Sequence, residues 1–145
     1  MAQVDFYILK AQYPRDRYHF ACRLTEKVYK QGHRAYLHAS TDGEVQHLDR
    51  LLWTFREGSF IPHGVLDGAD PRLTPVLLGS QQDPTGEDDV LINLNLAPEI
   101  PDFFSRFQRI AEIVDADPER LRVGRARFRH YRDQGYPLHT HELSP

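Results

Sequence analysis

The 145-residue chain is 40% hydrophobic and 27% charged, a balance that suits one globular domain with a sizeable core. Its formal net charge of −3 argues against a general nucleic-acid coat and makes any basic feature a local one. Cys22 is the single cysteine, so an intramolecular disulfide and a cysteine-based zinc site are both excluded, and it reads as a buried thiol. The first ten residues have no signal-peptide layout, and no segment approaches 18 uninterrupted apolar residues; a soluble cytoplasmic protein is expected.

Val4 to Leu9 is rich in β-formers and predicts a first strand, followed by a polar loop with Pro14. The spacing of Phe20, Ala21, Leu24 and Val28 predicts a helix over 16–31, closed by Gly32. Arg34 to Ala39 reads as a second strand, and this β-α-β opening implies parallel pairing. Thr41 and Glu44 form a T-x-x-E capping box that opens a helix to about Phe55, with a stripe of Val45, Leu48, Leu51, Leu52 and Phe55. Trp53 projects roughly 140° from the centre of that stripe, which leaves it either at a partner interface or under a covering loop.

Residues 56–67 lack helix and strand signals yet hold Phe60, Ile61, Pro62 and His63, an apolar loop stiffened by proline. Pro75 to Gly79 and Val90 to Leu96 read as further strands, the latter alternating apolar residues with Asn93 and Asn95, and a polar loop joins them. From Pro101 to Val114 the periodicity of Phe103, Phe104, Phe107, Ile110, Ala111 and Val114 favours a helix. A strand over 109–114 better continues the βα alternation.

Asp117, Pro118 and Glu119 give an N-cap, a first-turn proline and an acid suited to the helix dipole, and Gly135 supplies the stop. The helix between carries Arg120, Arg122, Arg125, Arg127, Arg129 and Arg132, six of the 18 Lys and Arg residues. Leu121, Gly124, Phe128 and Tyr131 share one side; Arg125, Arg129 and Arg132 form a ridge beside it, with Arg122 behind. A cationic ridge bordering apolar surface suits an acidic partner with an apolar anchor, or phosphate, although a merely solvated Arg-rich helix would carry the same charges. Residues 138–145 read as an extended tail beyond a domain spanning 1–137. The predicted fold is α/β: a single three-layer domain with a mostly parallel twisted sheet, helices on both faces and a Rossmann-like topology without a nucleotide-binding loop.

Neither G-x-x-x-x-G-K-[ST] nor G-x-G-x-x-G is present, and the turn after the first strand reads K-A-Q-Y-P-R-D, so phosphate binding by a glycine loop is not expected. G-x-S-x-G is also missing. The His139 and His141 pair needs a third ligand to hold a metal, and the adjacent Asp88 and Asp89 do not by themselves converge on a substrate. No cofactor, metal or catalytic residue is expected.

V-D-F-Y-I-L near the start, L-D-R-L-L-W followed by S-F-I-P-H in the middle, the strand D-V-L-I-N-L and the end A-R-F-R-H-Y-R-D-Q-G-Y together resemble the chi subunit of bacterial DNA polymerase III. The ordered set spans nearly the whole chain, although no single motif is specific. The resemblance implies a small α/β accessory subunit of the clamp-loader assembly without catalysis of its own. It implies two partners: the psi subunit, and the acidic C-terminal tail of single-stranded-DNA-binding protein. The tail would lie on the C-terminal helix, on Arg125, Phe128, Arg129 and Arg132 with Arg122 and Tyr131 nearby; psi would meet Trp53, Phe60, Ile61, Pro62 and His63. DNA would be reached only indirectly and no membrane is involved. The alternative is a domain that binds single-stranded nucleic acid directly through the same Arg-rich helix.

Overall fold

In the computed structural model, which describes residues 2–97 and 99–143, seven strands form one sheet in the order β3-β4-β2-β5-β6-β1-β7. They are β1 (Gln3–Leu9), β2 (Ala35–Ala39), β3 (His63–Val65), β4 (Val76–Ser80), β5 (Val90–Asn93), β6 (Arg109–Val114) and β7 (Leu138–Leu143). Every pairing is parallel. Three helices, α1 (Arg17–Lys30), α2 (Asp42–Thr54) and α3 (Pro118–Asp133), make the crossovers. The α/β sheet with helices on both faces is the architecture expected from the alternation.

Side-chain alternation divides the core into two layers. Tyr7, Leu9, Leu37, Leu78, Ile92 and Ile113 pack with Leu24, Val28, Leu48 and Leu52 of α1 and α2. Val4, Phe6, Tyr36, Leu91, Ile110 and Val114 face the other way and meet Tyr131, Leu121 and Phe128 of α3. Each helix starts on a side-chain cap: Asp16 accepts from His19 N, and, as the sequence predicts, Thr41 Oγ1 accepts from Glu44 N and Asp117 from the amides of Glu119 and Arg120. Glu44 Oε1 reaches one residue past the cap and accepts from Ser40 N at 3.0 Å. Cys22 is fully buried in α1, and burial pushes its thiol pKa up to about 12.

Three elements differ from the sequence reading, and the open choice within 101–114 falls to the strand. Residues 102–106 form one 3-10 turn and 109–114 the strand β6, because Ile110 and Val114 face α3 while Ala111 and Ile113 face the opposite layer. The strand at 90–96 stops at Asn93: Asn95 N bonds back to Asn93 Oδ1 at 3.3 Å and Asn95 Nδ2 donates to Ala39 O at 3.0 Å, which turns the chain away from the ladder. The loop at 56–67 contains a three-residue edge strand, β3. Residues 138–143 join the sheet as β7, in register with Val4 to Leu9 of β1.

Acidic side chains tie the elements together. Burial by itself would raise the Asp5 carboxyl, but hydrogen bonds from His141 and Arg109 and the Arg109 charge outweigh it and hold it below the ordinary value. Glu44 is likewise lowered, with burial outweighed by bonds from Tyr18 and Ser40 N and by Arg17. Groups with depressed folded values add stability that is complete above the unfolded values of 3.8 and 4.5 and is lost as pH falls through the lower folded ones. Urea midpoints are therefore expected to be flat above about pH 5 and to drop steeply below about pH 4, with a shallower drop in Asp5→Asn. A midpoint unchanged down to pH 3 would contradict these assignments.

Candidate functional site

Helix α3 lies close on the sheet because residue 124 is glycine: a Cβ there would stand 2.8 Å from Val114 Cγ2. That approach leaves a hollow of about 430 Å³ between the start of α3 and the ends of β1 and β6. Its walls are mostly apolar, formed by Phe6, Val114, Leu121, Gly124 and Phe128; of the charged residues that also line it, Lys10 pairs with Glu142 at 3.4 Å and Asp115 with Arg120 at 2.7 Å, which leaves Arg125 as the unpaired cation among the described residues. Phe128 is half-buried and packs edge-on against Phe6 with centroids 5.3 Å apart, so the aromatic wall is held in place.

Arg122, Arg125, Arg129 and Arg132 are all exposed. Arg122 pairs with Glu119 one turn back and Arg132 with Asp133 at 3.3 Å. Arg125 and Arg129 have no ion-pair partner among the described residues. Their guanidinium groups remain available to an incoming carboxylate, which they would grip bidentately.

Arg127 and Tyr131 differ from this ridge. Arg127 is 4% exposed and pairs with Glu112 Oε1 at 3.0 Å; its other amino group donates to the carbonyls of Asn95 and Ala97. Tyr131 is fully buried and donates to Glu112 Oε2 at 2.8 Å. Burial and the Glu112 carboxylate raise the Tyr131 phenol well above its ordinary value, so it stays a donor. Asn93 Nδ2 also donates to Glu112 Oε2, at 3.0 Å, and Asn93 Oδ1 meets His38 Nδ1 at 3.1 Å. Arg127 and Tyr131 thus anchor α3 to the sheet; Tyr131, expected as a contact residue, supports the hollow from behind.

The second expected surface also divides. Trp53 is 50% exposed and Phe60 72%, with ring centroids 5.7 Å apart. Ile61 is 1% exposed and belongs to the core, and Pro62 is half-buried. His63 has a fully covered side chain bonded to the carbonyls of Ile61 at 2.7 Å and Asp49 at 3.0 Å. Ile61 and His63 therefore hold the loop while Trp53 and Phe60 are presented to solvent. Leu73, 75% exposed, is a further large apolar side chain that the sequence reading did not single out.

Where a doubly wound fold would receive phosphates, this chain places its own groups. The Asp16 side chain caps α1, and Arg17, 4% exposed, donates to Leu94 O at 3.1 Å and to Glu44 at 2.9 Å. Away from that end, Asp89, just before β5, is engaged by His33 at 3.1 Å and by Arg34 N at 2.9 Å, and within the β1–β7 edge His141 bonds Asp5 at 3.0 Å. Among the described residues no three His, Cys, Asp or Glu side chains converge as a metal site, and no helix is long and apolar enough to cross a membrane. Glu112 and Lys10 were not anticipated, and Asn93 was expected only as a polar position of its strand; the acid inside R-I-A-E-I-V was the available signal for Glu112.

Comparison with known proteins gives a consistent result. The family model for the DNA polymerase III chi subunit, HolC, matches residues 1–139. A DNA polymerase III subunit chi from Pseudomonas aeruginosa is 42% identical over 143 residues, covering 99% of this chain and 98% of that protein. The Haemophilus influenzae subunit is 28% identical, with 96% of each chain covered, and the Escherichia coli subunit is 27% identical over 82% of this chain and 80% of its own. Among solved structures, domain 2 of the DEAD-box helicase Mss116p bound to an RNA duplex aligns with a TM-score of 0.60 at 10% identity. This chain covers 64% of that one, 97% of its own length is covered, and the likeness is one of fold. The chain belongs to the DNA polymerase III chi subunit family, accessory subunits of the replicative polymerase.

Proposed function

We propose that the protein is a non-catalytic adaptor of the clamp-loader assembly that binds the psi subunit through one surface and the acidic C-terminal tail of single-stranded-DNA-binding protein through another. The observation that supports the tail site best is the apolar hollow lined by Phe6, Val114, Leu121 and Phe128 with the unpaired Arg125 beside it. A tail with several aspartates and a terminal phenylalanine offers one ring for the hollow, an end carboxylate for Arg125 and further acids for Arg129 and Arg132. Capture is electrostatic plus one apolar anchor, so affinity falls with added salt and levels at a residual value. Tyr131 acts behind the wall, bonded to Glu112.

The psi contact centres on Trp53 and Phe60, whose exposed rings lie together at the end of α2. Ile61, Pro62 and His63 fix the loop that carries Phe60. Neither partner region lends a residue to the other, so the two surfaces separate by mutation. Immobilised single-stranded-DNA-binding protein is expected to capture psi only when this chain is added. Trp53→Ala should weaken psi capture about tenfold, as for an aromatic interface anchor, and leave tail affinity unchanged. Psi captured equally well by Trp53→Ala would move its site elsewhere.

A further inference from the structure

A second and larger cavity, about 1160 Å³, lies on the opposite face of the β1–β7 edge from the α3 hollow. Its lining includes Tyr7 of β1 and His141 of β7, stacked with centroids 4.7 Å apart and 14° from parallel. Helix α1 forms a wall. His19, Arg23, Lys27 and Lys30 fall at i, i+4, i+8 and i+11 and so run as one stripe along the helix, and Arg15 continues it from the turn before. At 1.5 Å per residue the stripe from His19 to Lys30 is about 17 Å long.

Apart from Lys30, the charge on this stripe is not consumed by the fold. Arg15, Arg23 and Lys27 are exposed and make no ion pair among the described residues. Glu26 is the one carboxylate on the cavity wall, and it is held by Arg56 at 2.7 Å and Lys30 at 3.7 Å. The surplus of cations is therefore concentrated here on a chain whose net charge is −3. Half-buried rings of Tyr13 and Phe20 lie between the cations, and Arg23 donates to the Tyr13 hydroxyl at 3.3 Å.

Point charges at regular intervals along an open channel, interleaved with rings, match a phosphodiester backbone with its bases turned toward apolar faces. An acidic peptide is the poorer fit, because it needs a narrow slot for an anchoring side chain, and this channel has more than twice the volume of the α3 hollow. We propose that the α1 channel binds single-stranded nucleic acid without base preference, independently of the tail site on α3.

Fluorescence anisotropy with a labelled oligothymidylate of about 16 nucleotides, at low ionic strength, tests it on the full chain. Saturable binding is expected, with log K falling against log salt with a slope of about −2 to −3, for three unpaired cations at about −0.7 each and Lys30 if it leaves Glu26. The variant Arg23→Ala/Lys27→Ala/Lys30→Ala changes only exposed helix positions, where alanine favours the helix, and thermal melts should show it folded. It should bind at least about tenfold more weakly with a slope shallower by about 2. Saturating acidic tail peptide should leave the oligonucleotide bound. No saturable binding by the wild-type chain, unchanged binding by the triple variant, or displacement of the oligonucleotide by tail peptide would each overturn the proposal. Tail-peptide affinity, measured on the same triple variant, reports the α3 site separately.

Discussion

Replacing Glu112 with alanine is expected to destabilise the protein by about 3–5 kcal/mol, the range for removing one partner of a buried ion pair. Glu112 is 1% exposed, and its two oxygens take bonds from Arg127, Tyr131 and Asn93. Truncation leaves a guanidinium, a phenol and an amide buried beneath α3 without that acceptor, and each lost partner carries a desolvation cost. Since a domain of this size has only about 5–15 kcal/mol in total, the variant should lose a large part of its stability. Urea denaturation would show a lower midpoint with a similar slope. Removing the charges together, as in Glu112→Leu/Arg127→Met, should recover most of the loss, since apolar replacements of similar volume leave no unpaired charge. A Glu112→Ala midpoint within error of the wild type would mean that Arg127 does not depend on Glu112 for its burial.

The second large effect concerns the tail site. Arg125→Ala is expected to weaken binding of a peptide ending in Asp-Ile-Pro-Phe by about 1–3 kcal/mol, the range for a desolvated charge-assisted bond. Arg125 lines the hollow and spends no hydrogen bond on a carboxylate of its own chain, so its removal should leave the fold unchanged. Calorimetry separates the two outcomes: unchanged affinity in a folded Arg125→Ala protein would remove α3 as the peptide's site. The neighbouring Arg129 and Arg132 should contribute less each, because they would meet acids that stay partly in water.

The caps at Thr41 with Glu44 and at Asp117 were legible because they are local, each bonding to amides within three residues. The edge strands were not. β7 reads L-H-T-H-E-L, with four exposed residues between half-buried leucines, so no apolar run announces it; its pairing with β1 is a contact between the two ends of the chain. The strand β6 was ambiguous because Ile110, Ala111 and Val114 satisfy both a helical and a strand period. On α3 the exposed Arg ridge followed from spacing, whereas the inward turn of Arg127 depends on Glu112, 15 positions away. Arg127 lies three residues after Gly124 and four before Tyr131, on the side that packs against the sheet, which was the sequence signal for its burial. Trp53 was separable from its stripe by helical angle, but the covered His63 side chain rests on carbonyls of Ile61 and Asp49 that no pattern specifies.

In the proposed complex the hollow beside Arg125 takes the terminal residue of an acidic tail, ring inside and carboxylate on the guanidinium. Calorimetry comparing the peptide with a free C-terminus against the same peptide amidated at its end tests this most directly. At least about a tenfold loss on amidation is expected in the wild-type chain, from the lost charge-assisted bond, with little further loss when Arg125 is also replaced by alanine. Equal affinity for the two peptides, or additive losses from amidation and Arg125→Ala, would contradict it.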